Sequence, residues 1–104
     1  MTRRAPRADA PLDPLRVEAE AEAAWARRVA VDLPPEAETT FRKLVELMAD
    51  SGAGAVVAPR RAVAQVIELD LRRLDRHLEA LARAGVLSID GERIALAPTP
   101  GDRP

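Results

Sequence analysis

Apolar residues return at three- and four-residue intervals through the middle of the chain, then at alternate positions near its end. Val17, Ala21, Ala24, Trp25 and Val29 make one thin stripe at helical spacing. The stripe predicts a helix over about 13–29, with Asp13 as its cap and Pro14 at its first position. Asp32-Leu33-Pro34-Pro35 interrupts the pattern. A second face, Ala37, Phe41, Leu44, Val45 and Met48, predicts a helix over about 35–50 that ends at Gly52. Gly54-Ala55-Val56-Val57-Ala58 suits a short strand. Val63, Ala64 and Ile67 predict a third helix over about 59–68. Leu74, Leu78 and Leu81 predict a fourth, capped by Asp70 and stopped by Gly85.

The period then changes to two. Val86-Leu87-Ser88-Ile89 and Glu92-Arg93-Ile94-Ala95-Leu96 flank Asp90-Gly91, a strong signal for a type I′ turn. Such a turn sets Ile89 opposite Glu92 and Leu87 opposite Ile94. Leu87, Ile89, Ile94 and Leu96 then share one face. The expected fold class is mainly α with a small β-hairpin wing and an extra N-terminal helix.

Composition narrows what the elements can do. Trp25 and Phe41 are the sole aromatic residues, so Leu, Val, Ile and Ala must build the core. The absence of cysteine excludes disulfides, thiolate metal sites and cysteine nucleophiles. No apolar run reaches the roughly 20 residues that span a bilayer, and no apolar stretch follows the basic start to make a signal peptide. A cytoplasmic protein without membrane contact is expected. Residues 1–12 read as a disordered basic arm, 13–33 as an N-terminal helix and linker, 34–97 as the main domain and 98–104 as a disordered tail. The net charge is −1. Positive charge gathers in the arm and weakly after residue 58, while the segment between is acidic.

Arg76-His77-Leu78-Glu79-Ala80-Leu81-Ala82-Arg83-Ala84-Gly85-Val86-Leu87 resembles the end of a recognition helix entering a wing in the winged helix-turn-helix family of bacterial transcription regulators. Ala64 matches the small residue where that family's two helices cross, Leu69 the buried turn position, Leu74 the buried position in the recognition helix, and Asp70 the cap. The resemblance spans roughly residues 36–96. Glu68 stands where the family commonly has glycine, Leu71 where it has an exposed polar residue, and Asp75 and Glu79 put acids on the helix face that would meet DNA.

The resemblance implies a small DNA-binding regulator that reads duplex DNA with the helix 70–84 and a wing at 86–96. Arg72 and Arg76 would reach bases or phosphates, Arg73 the backbone on the flank, Arg60 and Arg61 phosphate, and Arg93 the minor groove from the wing. The competing reading of these arginines is a solvated face paired within itself, because Arg72 with Asp75 and Arg76 with Glu79 have helix-neighbour spacing. The family often dimerises outside its reading head. That makes Val17, Ala21, Trp25 and Val29 candidate contacts of a homodimer, with Trp25 equally open as a core residue. The alternative function is a winged-helix protein-interaction module, for which an exposed Leu71 would suit. His77, the single histidine, lacks metal-ligand partners and reads as structural. No nucleophile triad, phosphate loop or carboxylate pair emerges, so neither enzymatic activity nor a cofactor is expected.

Overall fold

The computed structural model describes residues 14–29, 32–52 and 54–97. The arm, the tail and the Asp13 cap lie outside them. Four helices and three strands follow in order: α1 (Pro14–Ala26), α2 (Ala37–Ser51), β1 (Ala55–Val57), α3 (Arg60–Val66), α4 (Leu71–Arg83), β2 (Leu87–Asp90) and β3 (Arg93–Leu96). The strands form one antiparallel sheet in the order β1-β3-β2. From α2 onward this is the layout of a winged helix-turn-helix: helix, strand, two helices, hairpin. The helix α1 is additional.

The predicted apolar faces of α2, α3 and α4 are buried. Phe41, Leu44 and Met48 of α2, Val63 and Ala64 of α3, and Leu74, Leu78 and Leu81 of α4 converge on one core with Val86 and Ile94. Burying side chains of this size supplies about 1.5–3 kcal/mol each before entropy is counted. Ala64, on α3, is buried in the same core.

The helix-turn-helix corner is closed by local chemistry. Leu69 donates its N–H to the Ala64 carbonyl at 2.9 Å. Glu68 holds φ at 59°, the left-handed conformation that glycine takes without penalty. Lys43 of α2 donates to the Ile67 carbonyl at 3.1 Å, supplying a partner at the C-terminal end of α3. Asp70 then caps α4, its carboxylate accepting from the Arg72 and Arg73 N–H groups at 3.1 and 3.3 Å.

Three expectations need correction. The first helix ends at Ala26, not Val29. Val29 leaves the stripe because its N–H bonds the Ala84 carbonyl at 2.8 Å, and its side chain is exposed. The second helix begins at Ala37, not Pro35, because Glu36 takes φ of 72° and cannot extend it. The hairpin register is displaced by two residues. Ile89 pairs with Ile94, Asp90 with Arg93, and Leu87 with Leu96. The central turn residues are Gly91 and Glu92, and only Gly91 has positive φ, 62°. Positive φ at the first central residue alone is the type II′ pattern, not I′. A two-residue displacement keeps the same apolar face. It also replaces the expected Ile89–Glu92 pair with an Ile89–Ile94 pair. The short strand expected near Val56 joins β3 on its other side, through Ala55↔Ala95 and Val57↔Arg93.

Candidate nucleic-acid interface

Burying Leu74, Leu78 and Leu81 turns the opposite side of α4 to solvent. Arg72, Asp75, Arg76, Glu79 and Arg83 lie there, all exposed. The expected ion pairs along this face do not form. Neither Arg72–Asp75 nor Arg76–Glu79 comes within bridging distance, and Glu79 pairs instead with Arg83 at 3.8 Å.

Most other arginines are engaged. Arg16 pairs with Glu20, Arg42 with Glu22 and Glu38, and Arg73 with Glu36 at 4.0 Å. Arg28 donates to the Trp25 carbonyl. By contrast Arg27, Arg61, Arg72, Arg76 and Arg93 have no ion pair or side-chain hydrogen bond among the described residues. Four of these five lie on α3, α4 and the hairpin. They are the segments that a helix-turn-helix presents to a duplex.

Arg60 has a different position from the one its sequence neighbours suggest. It is half-buried and donates from Nη2 to the Gly91 carbonyl at 2.7 Å, fastening the start of α3 to the hairpin turn. Its Nη1 is buried without a partner. Arg61, beside it, projects into solvent. Leu71 is 40% exposed and borders an open hollow of about 550 Å³ with Pro59, Arg60, Arg61, Ala62 and Gln65.

The N-terminal stripe is placed largely inside the chain. Val17 and Ala21 are fully covered in the same core as α2. Trp25 stacks on Phe41, with ring centroids 5.3 Å apart, and Arg28 lies 4.5 Å over its face. Of the four residues considered for a dimer, Val29 is the exposed one.

Two features escape sequence reasoning. The first is the buried pair of Thr40 and His77, with Oγ1 and Nδ1 2.7 Å apart. Burial lowers the His77 pKa from its ordinary 6.5; Glu36 opposes this, while Arg73 and Arg76 add to it. The helical spacing that makes Thr40 neighbour Ala37, Phe41 and Leu44 was the available signal. The second is an apolar groove of about 310 Å³ between β1 and α3, where Val57 and Val66 are 67% and 62% exposed.

No group of acidic, histidine or cysteine side chains among the described residues is placed to hold a metal ion. No described helix is long and apolar enough to cross a membrane. No protein-family model, curated protein or solved structure matches the chain.

Proposed function

We propose that this chain is a small DNA-binding protein, a transcription regulator that lays α4 in the major groove and sets the β2–β3 hairpin against the backbone. The observation that carries the reading is the pair Arg72 and Arg76. Both stand on the outward face of α4, and neither is engaged by an acid among the described residues. A guanidinium left free on such a face suits a phosphate or a guanine edge. Arg61 and Arg93 add unengaged cations on the flanking α3 and hairpin. Asp75 and Glu79 on the same face weaken general attraction to phosphate, so base contacts must supply a larger share of affinity than in a strongly basic reader.

The test is a titration of the full chain with duplex DNA at two salt concentrations. Phosphate contacts release counterions, so binding must weaken as salt rises. Absence of salt-sensitive binding at low ionic strength removes the DNA reading. The second reading, a protein-interaction module, then takes its place. It is favoured by the exposed Val57 and Val66 beside the β1–α3 groove, which carries none of the unengaged arginines.

A further inference from the structure

Between the Pro34–Glu36 corner and α4 lies a cleft of about 250 Å³ lined by Pro34, Pro35, Glu36, Arg73, Arg76 and His77. Three nitrogen-bearing side chains on one turn and a half of α4 therefore border a single small space. His77 is 3% exposed, yet its ring lines this cleft. Its Nδ1 meets Thr40. Thr40 has no other side-chain partner among the described residues, so its hydroxyl hydrogen is satisfied there only by donating to Nδ1. The neutral ring then carries its own hydrogen on Nε2, which has no partner among the described residues. Nε2 keeps solvent contact, so its acceptor is a water or a solute that enters the cleft. No side chain caps the N-terminus of α2 at the same corner, which adds positive potential.

We propose that this cleft binds a small phosphate-type oxyanion, held by Arg73 and Arg76 with His77 as the third donor. Three donors from three residues suit a tetrahedral anion with several acceptor oxygens. Glu36 is the opposing element. Its carboxylate reaches Arg73 at only 4.0 Å and is largely exposed, so an arriving anion displaces a weak, solvated contact. The electrostatic influence of Glu36, Arg73 and Arg76 on His77 agrees with all four groups sharing the site. The inference stands apart from duplex binding, although Arg76 belongs to both surfaces.

His77 is the only histidine, so its ring protons give an isolated NMR reporter. The full chain is titrated with inorganic phosphate at fixed pH above neutrality, against sodium chloride at matched ionic strength. A saturable movement of the His77 resonances with phosphate alone supports the site. Arg73→Gln and Arg76→Gln each weaken it at least about threefold, as expected for exposed charge-assisted contacts, and Glu36→Gln tightens it. An equal movement with chloride overturns the proposal, as do arginine variants that fold and titrate like the native chain. A separate arm uses a short duplex: if the duplex moves His77 and free phosphate does not, the cleft takes a backbone phosphate and the free-anion site is refuted.

Discussion

Thr40 on α2 and His77 on α4, 37 residues apart, meet in the core at 2.7 Å and satisfy each other. The pair joins α2 to α4 through a polar contact inside an otherwise apolar interior. Thr40→Val keeps the side-chain shape but strands Nδ1. The expected loss is about 1–3 kcal/mol, the cost of a buried group left unmade, read as a lower urea midpoint at unchanged slope.

Burial also fixes the pH behaviour of His77. Its folded pKa lies below the ordinary 6.5. The unfolded chain therefore takes up the proton first as pH falls. The stabilising contribution is complete above about pH 6.5 and declines as pH drops toward the folded value, below which the loss is constant. Thermal melts between about pH 8 and about pH 5 should fall in that window, and His77→Gln should flatten the fall. A melting temperature that rises on acidification would contradict the assignment.

Two turn positions should respond in opposite directions. Glu68 holds φ at 59° and Gly91 at 62°. Left-handed backbone costs a side-chain-bearing residue about 1–2 kcal/mol, against about 0.5–1 kcal/mol of extra entropy lost by glycine. Glu68→Gly should stabilise the domain by up to about 1 kcal/mol. Gly91→Val should destabilise it by about 1–2 kcal/mol. A Cβ at Gly91 would meet no atom within 4 Å, so that penalty is conformational and not steric. Equilibrium denaturation of the two variants checks both signs.

If the proposed duplex reading holds, Arg72→Ala combined with Arg76→Ala on the outward face of α4 should reduce duplex affinity at least about tenfold, since a good base contact contributes about 1–3 kcal/mol. Asp75→Ala should strengthen non-specific binding. All three positions are exposed, so stability should stay near that of the native chain. A fluorescence-anisotropy titration distinguishes these outcomes, and unchanged affinity in the double variant would remove α4 as the reading element.

The sequence was legible wherever period and chain-local chemistry decide the structure. Leu74, Leu78 and Leu81 announce the buried face of α4, and Asp70 announces its cap. The hairpin shows where that ends. Registers differing by two residues leave Leu87, Ile89, Ile94 and Leu96 on one face, so patterning cannot choose between them; the turn at Gly91-Glu92 does. Arg60 illustrates a second limit. Nothing beside it in the chain indicates that it bonds a carbonyl 31 residues away. Val17 and Ala21 illustrate a third: a thin apolar stripe has the same spacing whether its cover comes from α2 or from another molecule.

The sheet order bears on how the protein is made. The strand β3 lies between β1 and β2, although it is the last of the three to be synthesised. While a ribosome is extending the chain, β1 has no neighbour until Arg93–Leu96 has emerged, by which time all of α3 and α4 has left the exit tunnel. Helical contacts, being local, can form during this interval, whereas pairing across the sheet must wait for distant segments to meet. Vectorial folding of this domain therefore runs from helices to sheet, with the hairpin as the closing step. A stalled nascent chain whose emerged part ends before residue 93 would leave the β1 edge unpaired, giving a defined length at which chaperone crosslinking should peak.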